Sequence, residues 1–193
     1  MWDEGRLEYG QDDRQSVDLA IPPIGAPAAN GIAVLVHSAP QGAGVKEVEP
    51  LGVNLMAHGW VVANVDYAAP EDIPAGMGEA RAWFAEVGGK GPAVAVTTGE
   101  TAQAMVRGAD QAEALVLLDP QLAEGLGEVS TPVCVVVPRE REDAVEGADV
   151  ETIEARDLSR GLAVDPHSAH WPAVASWIYR KTGARSDPLG DKH

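Results

Sequence analysis

The chain has 193 residues, of which 30 are Asp or Glu and 14 are Lys or Arg, so its net charge at pH 7 is -16. This acidity argues against binding to nucleic acid and to anionic membrane surfaces, because both require clustered cations. The length and a hydrophobic content of 45% are sufficient for one domain with a real core. We expect a single domain over residues 1–183 and a flexible polar tail over residues 184–193.

The single cysteine and the lengths of the apolar runs limit further which class of protein this can be. Cys134 is the only cysteine, which excludes an internal disulfide and a thiolate metal cluster. It lies in the apolar run 132–137, which predicts a buried strand residue rather than a catalytic thiol. No apolar run reaches the ~20 residues that span a bilayer, and the first residues show no signal-peptide hydrophobic region. We therefore predict a cytoplasmic protein.

Strand-like and helix-like segments alternate along the chain. The predicted strands are 17–21, 32–36, 60–65, 93–97, 114–118, 132–137 and 150–155. The predicted helices are 48–58, 75–87, 101–108, a short one at 122–126, and 171–181. This alternation predicts an α/β fold, a three-layer α/β/α sandwich around a mostly parallel twisted sheet. Ligands of such sheets bind at the carboxyl ends of the strands, so the loops that follow strands are the candidate sites.

The most informative stretch is 92–106, where an apolar strand-like run meets a small turn and a helix-forming run follows. This is the layout of a nucleophile elbow, the sharp strand-to-helix turn that presents a catalytic serine in the motif G-x-S-x-G. The pentapeptide 99–103, with the sequence GETAQ, stands where that motif would stand. Thr101 then occupies the place of the serine, and Gln103 the place of the second glycine.

Two earlier loops extend the pattern. His37 opens a loop containing Ser38 and Ala39 after one buried strand, and Asp66-Tyr67 ends the next strand with Ala-Pro-Glu at 69–71. Together with the elbow-like turn, this order resembles the esterase and kynurenine-formamidase-like group of the α/β-hydrolase superfamily over about residues 17–177. The resemblance implies a minimal α/β-hydrolase fold without a large cap domain, and cleavage of a carboxylic ester or amide.

The same resemblance implies roles for individual residues. Backbone N–H groups of Ala102 and of Ser38 or Ala39, in the loop that His37 opens, would stabilise an oxyanion. The triad acid would follow the strand at 132–137, where Glu140, Glu142 and Asp143 are the candidates and Asp143 is selected for the site. The triad base would precede the last helix. His167 and His170 both lie there, and His170 is preferred because it immediately precedes the helix.

Thr101 has three interpretations. Its hydroxyl could cap the helix that follows, it could be a nucleophile activated by a base, or the elbow could lie elsewhere. An elbow nucleophile sits at positive φ, where a β-branched residue costs on the order of 1–3 kcal/mol.

The sequence contains little that indicates a metal site or nucleotide binding. His167, His170 and Asp165 lie close in sequence, but no H-E-x-x-H signature is present, so we expect no metal. Phosphate-loop and dinucleotide signatures are likewise missing from the sequence, and we expect no cofactor.

Two functions follow from the sequence. The first is a relative of ester and amide hydrolases with weak or absent activity because Thr101 replaces the serine, acting if active on a small ester or amide. The alternative is a non-catalytic pseudo-hydrolase that serves as a binding or partner subunit, with a protein partner or as a homodimer. The altered elbow and the altered loop at 38–40 motivate the alternative.

Overall fold

The computed structural model describes residues 5–22, 30–37, 44–139, 147, 149–156, 158 and 163–184. An eight-stranded sheet forms its centre, with the strand order β1-β2-β4-β3-β5-β6-β7-β8. The strands are β1 (Gly5–Glu8), β2 (Ser16–Ala20), β3 (Ile32–Val36), β4 (Val61–Asp66), β5 (Ala93–Thr98), β6 (Ala114–Leu118), β7 (Val133–Pro138) and β8 (Val150–Ala155). β1 pairs with β2 and β2 with β4 in antiparallel register, and the other pairs are parallel.

Helices cover both faces of the sheet. They are α1 (Gly44–Ala57), α2 (Ile73–Glu86), α3 (Ala102–Arg107) and α4 (Trp171–Thr182). One apolar cluster joins the sheet to α2 and α3 through residues such as Met77 and Met105. A second cluster joins the opposite face to α1 and α4 through Leu51, Val174 and Trp177. The predicted three-layer α/β/α sandwich with a mostly parallel sheet is confirmed.

The continuous apolar runs located the parallel strands well, because strands buried on both faces carry few polar residues. β3, β5 and β6 are buried along their full length. The edge strand β1 was not predicted, since only alternate residues of its four are partly buried. The short helix predicted at 122–126 was wrong: Gly125 and Gly127 both adopt positive φ, and Leu126 alone is buried there.

Among the described residues, no helix combines the length and apolar character that crossing a membrane requires.

Candidate functional site

The turn after β5 is built differently from the predicted elbow. Gly99 has φ +55°, and a short 3-10 turn over Gly99–Thr101 leads directly into α3. Thr101 itself has φ -75° and ψ -10°, the ordinary right-handed helical region. The left-handed residue of the turn is therefore Gly99, two positions before the predicted one. The placement of Thr101 at the strained position was wrong, because glycine takes positive φ without a steric cost.

Shifted by two residues, the pentapeptide that fits the elbow layout is 97–101, with the sequence TTGET. Thr97 and Thr101 then flank Gly99 where G-x-S-x-G has its glycines. Their hydroxyl oxygens lie 2.5 Å apart, so the two side chains occupy the space that glycines would leave open. The position that would present a nucleophile carries no side chain.

The Thr101 hydroxyl is committed to this turn. Thr101 is 2% exposed, and its Oγ1 donates to the Thr98 carbonyl at 2.8 Å. The Thr97 hydroxyl is placed to donate to the Val36 carbonyl at 2.9 Å, which ties the turn to β3. Thr101 stands at the N-cap position of α3, but its side chain makes no capping bond to an α3 N–H. The prediction that Thr101 occupies the N-cap of α3 is therefore confirmed. The prediction that its hydroxyl caps an α3 N–H is wrong, because the hydroxyl donates to the Thr98 carbonyl.

The Thr101→Val variant is expected to lose about 1–3 kcal/mol of unfolding free energy, because the Thr98 carbonyl loses a buried donor. Thr101→Ser keeps the hydroxyl and should lose only about the 1 kcal/mol of one buried methyl group. Urea unfolding measures both. If Val and Ser at this position are equally stable, the hydroxyl does not hold the turn.

Of the three predicted oxyanion donors, the structure describes only Ala102. The Ala102 N–H donates to the Gly99 carbonyl within the turn, so it is not directed at a ligand. This corrects its assignment as an oxyanion donor. Ser38 and Ala39 lie outside the described residues.

His37 lies buried at the carboxyl end of β3, with 1% of its surface exposed. Its Nε2 is 3.4 Å from Asp66 Oδ1 at the end of β4, and its ring stacks on Tyr67 with centroids 5.2 Å apart. The Tyr67 hydroxyl donates to the His37 carbonyl at 3.0 Å. The Nδ1 atom of His37 is buried and has no hydrogen-bond partner among the residues that the structure describes. The contacts that hold the imidazole therefore come from Asp66 and Tyr67.

Further buried polar atoms lie on strands near that of His37. Within the described part of the chain, Asn64 Oδ1 and Nδ2, Ser16 Oγ and Thr98 Oγ1 have no hydrogen-bond partner. Ser16 pairs with Asp66 in the sheet register, and Asn64 pairs with Leu35, two residues before His37. Because side chains alternate along strands, these groups share the sheet face that α1 and α4 cover. Buried polar atoms of this kind are commonly satisfied by internal water.

Acidic side chains lie around the carboxyl ends of the strands, a region called here the carboxyl edge of the sheet. The pKa of Tyr67 is raised to about 12, first by burial of its phenol and then by the negative charges of Asp66, Glu47 and Glu100. Tyr9 donates from its hydroxyl to the Asp66 carbonyl at 2.6 Å. Burial, followed by Asp72 and Asp66, raises the pKa of Tyr9 above the range usual for a phenol. A negative charge that developed at this edge would meet several carboxylates.

His170 is described, and it does not meet Thr101. Its side chain is 5% exposed, and its Nε2 lies 3.0 Å from the Ala163 carbonyl. Within the part of the chain that the structure describes, no hydrogen bond joins His170 to Thr101 or to His37. His167 is exposed, and its backbone N–H donates to Asp165 Oδ1 at 2.9 Å. The acid candidates Asp143, Glu140 and Glu142 lie outside the described residues.

Comparison with known proteins gives relatives in structure only. No family model matches the sequence, and no curated protein matches it. An α/β serine hydrolase without a lid from Xanthomonas campestris superimposes with a TM-score of 0.66 at 13% identity, covering 88% of this chain and 90% of that one. Esterase 2 from Thermogutta terrifontis, in its apo form, gives 0.65 at 13% identity, covering 91% and 94%. A serine hydrolase homologue from Coxiella burnetii gives 0.58 at 14% identity, covering 78% and 86%.

The chain has the α/β-hydrolase fold. At these identities the likeness concerns the fold alone, and function has to be argued from the site.

Within the α/β-hydrolase fold, one further residue stands out that the sequence analysis did not select. Asp119 follows β6, is exposed, and has φ +47°. It is the single non-glycine residue at positive φ among those the structure describes. Its backbone N–H donates to the Val136 carbonyl, which fixes it at the carboxyl edge. The sequence feature that could have identified Asp119 is an acidic residue directly after a buried strand, followed by proline. Asp tolerates the left-handed region better than most residues, which explains its place there.

The buried imidazole of His170 predicts acid sensitivity. Its pKa is lowered by burial, against opposing contributions from the Ala163 carbonyl and Asp165. A lowered native pKa means that the unfolded chain takes up the proton first, so unfolding becomes easier as pH falls below about 6.5. We expect His170→Asn to reduce the slope of unfolding free energy against pH between about pH 7 and 5. Urea unfolding at several pH values tests this, and an unchanged slope would exclude His170 as its source.

Proposed function

We propose that this protein is a non-catalytic relative of the esterase and kynurenine-formamidase-like group, which binds a ligand or a partner without hydrolysing it. The observation that carries the proposal is Gly99. It holds the left-handed position of the strand-to-helix turn. Among the described residues, none apart from its two chain neighbours has an atom within 4 Å of where its Cβ would be. That turn is where the fold presents a nucleophile, and here it presents only backbone.

The electrostatics of the turn support the same proposal. Acyl transfer requires a site that stabilises a developing oxyanion. In the corrected register the residue after the turn glycine is Glu100, whose side chain is exposed. Asp66, Glu47 and Glu100 already disfavour the phenolate form of Tyr67. The same carboxylates would raise the energy of an oxyanion formed nearby.

The competing function is ester or amide hydrolysis through Thr101 with His170 as base. It would require the Thr101 hydroxyl to leave its buried contacts with Thr98 and Thr97. It would also require His170 to leave the Ala163 carbonyl and approach the turn. Each buried hydrogen bond given up costs about 1–3 kcal/mol before any chemistry begins. The non-catalytic function requires none of these changes.

The test is hydrolysis of p-nitrophenyl acetate and p-nitrophenyl butyrate by the purified protein. We expect no turnover that Thr101→Ala or His170→Ala removes. Turnover that depends on either residue would overturn the proposal. The matched variant is Gly99→Ser, which places a hydroxyl at the left-handed position of the turn, where glycine is the favoured residue. Because the carboxylates near the turn disfavour an oxyanion and His170 is held at the Ala163 carbonyl, we expect this variant to release no burst of p-nitrophenol. A burst of about one equivalent would show that the turn lacks only its nucleophile. Circular dichroism confirms that each variant is folded.

A further inference from the structure

A cavity of about 420 Å³ lies between α1 and α4. Its walls include Leu51, Leu55, Trp60, Trp171 and Ile178. The α1 residues belong to the second half of that helix, and Trp60 directly precedes β4. Since α1 runs back from the carboxyl edge of the sheet towards the start of β4, the cavity is separate from the turn discussed above. The lining residues that the structure describes include no Asp, Glu, Lys or Arg, so the cavity suits an apolar group.

The chain turns back along α4 directly after that helix ends. Gly183 adopts φ +66°, the left-handed conformation that ends many helices, and its N–H donates to the Tyr179 carbonyl. Ala184 is then partly buried against the apolar cluster that contains Trp177. It lines a groove together with Ala175 and Tyr179. Because Ala175 lies in the first half of α4, the chain after Gly183 runs back beside the helix and not away from it.

The groove at Ala184 adjoins the cavity, because Ala175 and Tyr179 line both of them. Pro172 lines the cavity one helical turn further along α4. A rise of 1.5 Å per residue places Pro172 about 10 Å from Tyr179 along the helix axis. Leu189 follows Ala184 by five residues, and an extended segment of that length reaches about 17 Å. The segment that follows α4 is therefore long enough to bring Leu189 into the cavity.

We propose that Pro188 and Leu189 of this same chain dock in the cavity between α1 and α4. Residues 185–193 lie outside the described residues, and Leu189 is the one large apolar side chain in their sequence. The segment also carries charged side chains, namely Arg185, Asp187, Asp191 and Lys192. These would lose their hydration in the cavity without gaining an ionic partner, so only the Pro-Leu pair fits it.

Covalent attachment favours this occupant over a free one. A segment that begins beside the cavity is present there at an effective concentration in the millimolar range, whatever the concentration of the protein. Pro188 also has a fixed φ, which reduces the conformational entropy that the segment loses on docking. The proposal goes beyond the function proposed above and does not rest on it. Ester hydrolysis does not enter the tests below, so the two proposals can fail separately.

Alkylation of Asn54→Cys by N-ethylmaleimide tests whether the cavity is covered. Asn54 lines the cavity from α1 and is partly exposed, whereas the native Cys134 is fully buried. A docked Leu189 covers the introduced thiol, so adding Leu189→Ser should speed its alkylation about 3-fold or more. The change is modest because ordering the linking residues opposes the gain from burying one leucine. Adding Asp191→Ser, in the same segment, should leave the rate as it is. A rate that Leu189→Ser does not raise would refute the docking.

Disulfide formation in glutathione redox buffers measures where Leu189 lies. Leu189→Cys keeps a small apolar side chain at this position. It is combined with Asn54→Cys in the cavity wall, or with Ala173→Cys, which is on the exposed surface of α4 and does not line the cavity. We expect the effective concentration of the two thiols to be about 10-fold higher in the first pair. A segment that moves freely beside α4 would reach both positions, so equal values, or a preference for Ala173→Cys, would overturn the proposal.

Discussion

A cysteine at position 99 is expected to react with N-ethylmaleimide at least about 100-fold faster than a cysteine at position 101, because buried thiols react only after local opening. Apart from the chain neighbours of Gly99, no described residue has an atom within 4 Å of an added Cβ, so a thiol there is expected to be accessible. Thr101 is 2% exposed and packed against Thr97. Opening that costs several kcal/mol slows the reaction tenfold for each 1.4 kcal/mol. The ratio of the two alkylation rates thus reports which residue the turn presents.

The native thiol does not obscure the comparison. Cys134 is fully buried in β7, and burial raises the pKa of its thiol to about 12. Both effects suppress the thiolate that attacks the maleimide. Gly99→Cys and Thr101→Cys should react at similar rates once the chain is unfolded in urea, which controls for intrinsic reactivity. Faster alkylation of Thr101→Cys in the native protein would return Thr101 to the nucleophile position and reopen the hydrolytic function.

The sequence located the turn but not its central residue. The change from an apolar run to a helix-forming run marked the end of β5 and the start of α3 to within a residue or two. Matching the serine of the motif to the nearest hydroxyl then placed Thr101 at the centre. The better guide was the backbone: positive φ favours glycine, and Gly99 is the glycine of that segment. Matching the motif by its hydroxyl side chain alone therefore did not identify Gly99, the residue that adopts the left-handed backbone conformation.

The rest of the candidate site shows what sequence can and cannot provide. The apolar runs predicted that His37, Asp66 and Gly99 follow strands, and the structure adds that these strands are neighbours in the sheet. Pairing between their side chains depends on rotamers and on loops, which carry no periodic signal. The stacking of His37 on Tyr67 is of this kind. So is the use of the Ala102 N–H within its own turn.

The buried phenol of Tyr67 is expected to make the fold sensitive to alkali. Tyr67 is 6% exposed, and its pKa is raised from an ordinary 10.0 to about 12. Between these values the unfolded chain releases the phenolic proton while the native state keeps it. The unfolded state then binds fewer protons, so the unfolding free energy falls as pH rises. A difference of two pKa units corresponds to a loss of about 2–3 kcal/mol by pH 12.

The matched variant is Tyr67→Phe, which keeps a ring against His37 and removes the ionisable hydroxyl together with its bond to the His37 carbonyl. At about pH 8 the variant should be less stable by about 1 kcal/mol, the net worth of that bond. Above about pH 10 the unmodified protein should lose stability faster than the variant, so the two curves converge and then cross. Comparing the two proteins cancels the titration of groups that they share, including Tyr9. Parallel curves would show that Tyr67 ionises as readily in the native protein as in the unfolded chain. Neither burial nor the charges of Asp66, Glu47 and Glu100 would then raise its pKa.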